Sequence, residues 1–187
     1  MAHEETSLTI KDADLAFENS MVRVIALRES PKLELAGLSV GPFEEGKEYE
    51  IRLWLARELE KAGIVRIRDE PFDSSMLHKI HWTERIQAAG KISALPPTFY
   101  PKLRALLSSL KEGSLGDAET LREYELIKRL SRDIVDCRLK KIISLASTPG
   151  HKSHIVRNLT VEERDLYKKL EAIIDAWRKE ILGVVEE

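Results

Sequence analysis

The hydrophobic pattern of this chain changes its period once, and that change most limits the folds available to it. Residues 33–67 read LELAGLSVGPFEEGKEYEIRLWLARELEKAGIVRI, with short extended stretches between turn residues. From residue 74 to residue 185 the apolar residues recur instead at helical spacing. The order predicts an α+β fold in which a small N-terminal β-rich domain precedes a mainly α-helical bundle domain.

The N-terminal region is expected to contain three or four strands and one packed helix. Met21 begins a run rich in β-branched residues, and the helical spacing that starts at Leu53 stops at Gly63. Phe43, Trp54 and Leu55 are the residues we expect to pack this domain. About fifty residues make a marginal core, which indicates that the module docks on something else.

A domain boundary is predicted at residues 69–73, which read DEPFD. Pro71 disfavours helix in the residue before it, and Asp73 is a natural N-cap for the segment that follows. The predicted domains are therefore 1–71 and 72–187. In the second domain we expect helices at 74–89, 96–113 and 118–146, and a last helix that opens with the capping-box pattern Thr160-x-x-Glu163.

The 118–146 helix is longer than a domain of this size needs for its own core. About 28 residues at 1.5 Å each make a rod of about 40 Å, with room for sister helices on one side and a second subunit on the other. The apolar residues of this helix and the last one are predicted to form core or subunit interface: Tyr124, Ile127, Leu130, Ile134, Leu139, Ile142, Leu166, Leu170, Ile173 and Trp177. Periodicity alone does not divide them between the two roles.

Composition excludes several classes of partner. Thirty basic and thirty-two acidic residues give a formal net charge of −2, so the electrostatic field of the whole chain would not attract nucleic acid.

The single cysteine, Cys137, excludes an intramolecular disulfide and is interpreted as a small buried hydrophobe. No signal peptide or membrane span is expected. A single cysteine fits a reducing intracellular compartment, and the predicted location is the cytoplasm. One glutamine and two asparagines beside 33% charged residues suggest a thermophilic source.

Two sets of residues offer alternative chemistry. His78 with His81, and His151 with His154, are spaced so that each pair could face one ion, but neither has an obvious third ligand. The basic run of Lys128, Arg129, Arg132, Arg138, Lys140 and Lys141 is interpreted as the solvated face of a helix. The alternative hypothesis is a nucleic-acid-binding module that uses this face, although it lacks interleaved aromatic residues. No catalytic residue, metal site or cofactor is predicted.

Several short motifs, in order, resemble one known family. The stretch 37–43 reads GLSVGPF and leads through an acidic turn into IRLWLA at 51–56; PTFY at 97–100 precedes Leu103 and Arg104. Two further motifs follow these. The first is residues 138–146, and the second is Asn158-Leu159-Thr160-x-x-Glu163 with Leu166 and Tyr167. In this order they resemble the GINS subunits of the archaeal and eukaryotic replication machinery. Arg52 stands where the family pattern has proline.

The resemblance implies a role and a set of partners. A β domain before an α domain is the arrangement of the archaeal two-three type, the counterpart of the eukaryotic second and third GINS subunits. Such a chain would be a structural subunit, not an enzyme, that pairs with the α-before-β subunit in a 2:2 heterotetramer. The tetramer would hold the MCM helicase together with a RecJ/Cdc45-like protein, with primase or DNA polymerase as further partners of the family and with weak or absent DNA contact.

Overall fold

The chain divides into two compact units, each described here by itself. The computed structural model describes residues 10–35, 37–68, 72–87, 91–150 and 153–183. One unit is built from Lys11–Pro71, and the main part of the other is Phe72–Glu187. The first contains the strands and the second is helical, so the expected α+β fold, with a small β-rich region ahead of a helical bundle, is confirmed.

A three-stranded antiparallel sheet forms the centre of the first unit. Its strand order is β4-β1-β5, and β2 and β3 form a separate antiparallel pair. The elements are α1 (Ile10–Glu18), β1 (Met21–Ala26), β2 (Leu33–Leu35), β3 (Leu38–Val40), β4 (Glu48–Arg52), α2 (Leu53–Lys61) and β5 (Val65–Ile67). The predicted strands and packed helix are all present.

The sheet and α2 enclose one apolar core. Val24 and Ala26 alternate on the inner face of β1, and α2 covers them with an apolar face that includes Leu59. The helix ends where Gly63 adopts φ +68°, a left-handed conformation that glycine takes without steric cost. The single α2 helix therefore closes the core of this unit.

Arg52 joins β4 directly to α2 without any loop. Its φ of −64° is the value to which a proline ring fixes the backbone, so the geometry suits the residue that the family pattern has there. The guanidinium donates a hydrogen bond to Asn19 Oδ1 at 3.0 Å, and the helix N-terminus has no side-chain cap. The substitution thus leaves the strand-to-helix transition intact.

The second unit is a bundle arranged around one long helix. Its helices are α3 (Ser74–Ile86), α4 (Phe99–Gly113), α5 (Ala118–Ser147), α6 (Ser153–Val156) and α7 (Val161–Leu182). The predicted caps are formed: the Asp73 carboxylate accepts from Met76 N, and that of Asp117 accepts from Glu119 N and Thr120 N. Both halves of the Thr160 to Glu163 capping box are made. These local signals set where α3, α5 and α7 begin, whereas α4 begins at Phe99 without a side-chain cap, three residues after the predicted start.

Helix α3 ends earlier than its sequence pattern predicts. We expected it to reach Ala89 and stop at Gly90, which both lie outside the described residues, but Gln87 already has an extended backbone with ψ 135°. A few residues later, Ile92 is buried and its carbonyl oxygen accepts from Asn158 Nδ2. The early end frees this segment to reach the core, a tertiary contact that overrides local helix preference.

Two apolar clusters fill the bundle, and α5 contributes to both. The N-terminal half of α5 packs against α3 and α4 through Ile127 and Ile134. Its C-terminal half packs against α7 through Ile142, opposite Tyr167 and Leu170. Because α5 serves both clusters, the long helix predicted from the sequence is first of all the central element of this unit's own core.

Candidate assembly surface

The predicted interface or core residues of α5 fall mostly in the core. Ile127 and Ile134 are fully buried, and Leu130 and Ile142 nearly so. Tyr124 is half-buried, with the Lys128 ammonium 5.3 Å from its ring centre. Leu139 differs, with 38% of its surface exposed.

The predicted residues of α7 fall mostly on the surface. Ile173 is 66% exposed and Trp177 61%, while Leu166 lies at the margin with 37%. With Ile181 they recur seven and four residues apart, which places them on one side of the helix. We call these four residues the α7 stripe. Leu170 is half-buried and belongs to the core cluster beside it.

A second exposed apolar row lies on α5 and was not fully anticipated. Val135 and Ile143 are each four residues from Leu139, so all three share one side of the helix. The exposed fraction is 39% for Val135, 38% for Leu139 and 42% for Ile143. We call these three the α5 stripe. Their i,i+4 spacing was readable in the sequence, but the same spacing also describes core residues.

Contacts between α5 and α7 bring the two helices side by side in the same direction. Glu163, in the first turn of α7, pairs with Arg138, and Arg178, near its end, donates to the Ser147 carbonyl at the end of α5. Each helix therefore carries an exposed apolar row beside its buried contact face. We use the name candidate assembly surface for the two stripes taken together.

The predicted packing residues of the β unit lie at its core. Phe43 and Leu55 are almost fully buried, and Trp54 is half-buried against the same cluster. The Phe43 ring meets Tyr49 edge to face at 4.9 Å between centroids. The Tyr49 hydroxyl in turn accepts a hydrogen bond from the backbone amide of Glu44 at 2.8 Å.

A buried ion network ties the helices of the bundle together. Arg138 of α5 is 1% exposed and binds the Glu163 carboxylate through two hydrogen bonds, Nε to Oε1 at 2.8 Å and Nη2 to Oε2 at 2.7 Å. Its Nη1 donates to Glu84 of α3 at 3.0 Å, and Lys141 donates to the other oxygen of that carboxylate at 2.8 Å. The Tyr100 hydroxyl of α4 donates to Glu163 at 2.7 Å. Two acids and two bases balance each other inside the unit.

Protonation states follow from this arrangement. Burial acts to raise the pKa of Glu84, but hydrogen bonds from Lys141 and Ser93 and the charge of Arg138 outweigh it, so the pKa is lowered. Burial acts to lower the pKa of Arg138, and its bonds to Glu163 and Glu84 raise it overall. Burial and the nearby Glu163 carboxylate raise the pKa of Tyr100. The carboxylate of Glu84 and the guanidinium of Arg138 are thus held charged, and the Tyr100 phenol neutral.

The network corrects our interpretation of the basic run. We expected Arg138 and Lys141 on the solvated face of α5, but they are 1% and 6% exposed and paired with acids. Lys128, Arg129, Arg132 and Lys140 do face solvent. A nucleic-acid interface along residues 128–141 loses two of its six cations, which weakens that alternative because phosphate contacts supply its affinity.

The histidine pairs do not form a metal centre within the described residues. His78 donates from Nδ1 to the Ser74 carbonyl at 2.7 Å, and His81 Nε2 lies 3.6 Å from Asp133 Oδ2. In the part of the chain that the structure describes, no three His, Cys, Asp or Glu side chains come together as ligands. His151 lies outside those residues, and His154 is exposed in α6. Cys137 is half-buried, not buried as we expected.

Comparison with known proteins connects both units to one complex. Residues 72–182 match the family model of the GINS complex protein helical bundle domain, and residues 9–68 match that of the PSF2 N-terminal domain. The human DNA replication complex GINS protein PSF2 is 26% identical over 132 residues, which cover 70% of this chain and 67% of that protein.

The matched regions agree with the architecture. The bundle match begins at residue 72, where the helical unit begins, and it includes the buried ion network and both stripes. Among the described residues, none of the helices combines the length and apolar character needed to cross a membrane. With more than half of the chain covered by one family model and the β unit by a second, the chain belongs to the GINS family of DNA replication proteins, as a PSF2-like subunit of the second/third type.

Proposed function

We propose that this chain is a non-catalytic subunit of a 2:2 GINS heterotetramer, in which it pairs with the α-before-β subunit. Membership of the family implies other GINS subunits as partners in a complex. The observation that carries the proposal is the candidate assembly surface, where large apolar side chains of α5 and α7 face solvent in the single chain. An apolar surface of this kind marks a contact with another protein.

The α7 stripe is the stronger part of this surface. Ile173, Trp177 and Ile181 are each exposed by more than 60%. Full burial of one such side chain contributes about 1.5–3 kcal/mol, so even partial coverage by a partner is worth several kcal/mol in total. Tryptophan is also the residue type that most often dominates interface energetics. We therefore assign Trp177 as the principal anchor, with Leu166 at the edge of the contact.

The core members of the predicted set act indirectly. Ile134 and Ile142 pack α5 against the other helices, and Leu170 packs α7 onto α5. They hold the two stripes in place without facing a partner. Phe43 and Leu55 likewise act from within the core of the β unit. We also propose that residues 1–71 and 72–187 are the two domains, which the division of the chain between Pro71 and Phe72 supports.

The assembled tetramer would bridge the MCM replicative helicase and a RecJ/Cdc45-like protein, with primase or DNA polymerase as additional partners. Support comes from the family, whose members are structural components of a DNA replication complex. The burial of Arg138 and Lys141 supports weak or absent direct contact with DNA. The chain acts without a cofactor, in the cytoplasm at the nucleoid-associated replisome of a thermophilic archaeon.

The test is co-expression with the α-before-β GINS subunit from the same source, followed by size exclusion and light scattering. We expect the mass of two copies of each chain. Trp177→Asp should abolish or weaken the complex by at least tenfold in dissociation constant, while the isolated chain keeps its thermal stability, because an exposed substitution costs the monomer little.

Leu115→Asp is the matched control. Leu115 lies between α4 and α5, is 90% exposed and belongs to neither stripe, so the same chemical change there should leave the complex intact. A Trp177→Asp complex of unchanged mass and affinity would contradict the assignment of α7. A chain that stays monomeric with its partner subunit would contradict the assembly itself.

A further inference from the structure

The outer face of α3 carries a separate exposed patch. Trp82 is 69% exposed and Ile86 60%, and they lie one turn apart. Lys79, His78 and Arg85 are exposed on the same helix. At 100° per residue, Trp82 and Ile86 occupy the middle of this face, with Lys79 on one side and Arg85 with His78 on the other. We call these five residues the α3 patch.

The helix geometry explains why Trp82 does not enter the core. Leu77 is fully buried in the cluster formed with α4 and α5, and Ile80 packs against that cluster. Trp82 follows Leu77 by five residues, which turns it about 140° away from the buried side. The apolar core is filled without the indole ring of Trp82. Trp82 is therefore exposed because of its position on the helix.

Charge on this face has one sign. The only acidic residue of α3 is Glu84, which is 2% exposed and holds Arg138 and Lys141 inside the bundle. Neither Lys79 nor Arg85 has an ion pair within the described residues. Asp133 of α5 is the acid that the contacts place at the edge of α3, beside His81. Because Glu84 is buried in the ion network, α3 contributes no negative charge to the protein surface.

We propose that the α3 patch docks an acidic segment of a partner protein that presents an apolar anchor side chain. Trp82 and Ile86 would cover the anchor, and Lys79 and Arg85 would meet Asp or Glu residues on either side of it. Such a centre of aromatic and aliphatic side chains with a charged rim is the usual anatomy of a protein interface. Single-stranded nucleic acid fits less well, because it calls for successive aromatic platforms and this face offers one.

This inference is independent of the proposed tetramer. The patch uses none of the residues of the α5 or α7 stripe, so it adds a second contact for a protein outside the GINS pair. Its occupant would bind whether the chain is alone or in the complex with its partner subunit.

The probe is a fluorescein-labelled amphipathic peptide of about 16 residues, with Leu at i, i+3, i+4 and i+7, Glu beside the Leu positions, and Ala or Gln elsewhere to favour a helix. Its counterpart has Lys in place of every Glu. Fluorescence anisotropy is measured with the purified full chain, alone and with its partner subunit. We expect the Glu peptide to bind at least tenfold more tightly than the Lys peptide, and the difference to shrink as salt rises.

Variants of the patch make the test specific. Trp82→Ala should weaken binding of the Glu peptide at least tenfold. The double variant Lys79→Glu with Arg85→Glu should reverse the preference in favour of the Lys peptide, a gain that general damage to the fold would not produce. All of these positions are exposed, so the thermal stability should stay close to that of the unmodified chain. Leu115→Ala is the control and should bind like the unmodified chain.

Three results would overturn the proposal. In the first, the Glu peptide binds Trp82→Ala as well as it binds the unmodified chain, or the charge variant keeps the original preference. In the second, a single-stranded oligothymidine binds more tightly than the Glu peptide and loses its affinity in Trp82→Ala. In the third, Trp82→Ala abolishes assembly with the partner subunit, which would assign the patch to that interface. Failure of Trp177→Asp to affect assembly would bear on the proposed function alone.

Discussion

Loss of the buried guanidinium provides the most direct test of the bundle. Arg138→Met removes four hydrogen bonds, two to Glu163, one to Glu84 and one to the Ser93 carbonyl, while methionine fills much of the space. Breaking a buried ion pair from one side costs about 3–5 kcal/mol, because it leaves the other charge uncompensated. We expect a loss of this size in the free energy of unfolding of the helical unit.

The remaining partners place the loss within that range. Glu84 keeps Lys141 at 2.8 Å, so it stays neutralised. Within the part of the chain that the structure describes, Glu163 keeps only neutral donors, the Tyr100 hydroxyl at 2.7 Å and the Thr160 amide at 3.0 Å. The uncompensated charge is thus on Glu163, and we expect the loss to be about 4 kcal/mol.

Two further variants separate charge from geometry. Arg138→Lys keeps the positive charge but cannot form the two parallel bonds to Glu163, so its cost should be intermediate. In Arg138→Met with Glu163→Gln, the uncompensated charge is gone and glutamine can still complete the capping box. We expect the double variant to recover about 1–3 kcal/mol relative to the sum of the single changes.

Urea unfolding followed by circular dichroism at 222 nm measures these differences. At a slope of about 2 kcal/mol per molar, a loss of about 4 kcal/mol lowers the midpoint by about 2 M. Because the chain has two units, the helical transition is checked against amide exchange in α5 and α7. A cost below about 1 kcal/mol for Arg138→Met, or no recovery in the double variant, would refute the assignment of the network as a stabilising centre.

Two other predictions concern the acid response and the β unit. The pKa of Glu84 is lower in the folded chain than its ordinary value of about 4.3, so its stabilising contribution is complete above that pH and is lost as pH falls through the folded value. Glu84→Gln should flatten the stability profile of the helical unit below about pH 4.3, measured by urea unfolding at each pH; a profile parallel to that of the unmodified chain would contradict this. Phe43→Ala should cost about 3–5 kcal/mol, because it removes a ring that is 2% exposed, whereas Phe43→Leu should cost less. Hydrogen exchange of the backbone amides in β1 and β4 measures the loss of stability. If Phe43→Ala and Phe43→Leu protect these amides equally, Phe43 is not central to that core.

The sequence by itself determined the order of the main elements and several of their ends. Asp117 and the Thr160 to Glu163 pair predicted helix starts that the structure has, and Gly63 predicted the end of α2. These signals are local, since a cap bonds to amides within its own first turn and a glycine sets only its own backbone angles. The resemblance to GINS subunits also rested on short motifs, and both family matches agree with it.

Tertiary structure decided where each side chain lies. Arg138 and Lys141 read as a solvated basic face, but Glu84 and Glu163, 54 and 25 residues from Arg138 along the chain, draw them into the core. Helix α3 ends earlier than predicted for the same reason, because Ile92, a few residues beyond its end, packs inside the bundle. The spacing of residues along one helix does not show which residues distant in the sequence will contact them.

The division of the apolar residues between core and surface was also a tertiary result. Leu170 and Ile173 are three residues apart on α7 and equally apolar, yet the first packs against the cluster shared with α5 and the second is 66% exposed. Helical periodicity gives the direction in which a side chain points on its own helix, and only the positions of the neighbouring helices show which directions are covered. The pattern alone therefore predicted an apolar face on α7, and the packing of α5 against one side of it left Ile173 and Trp177 exposed to solvent.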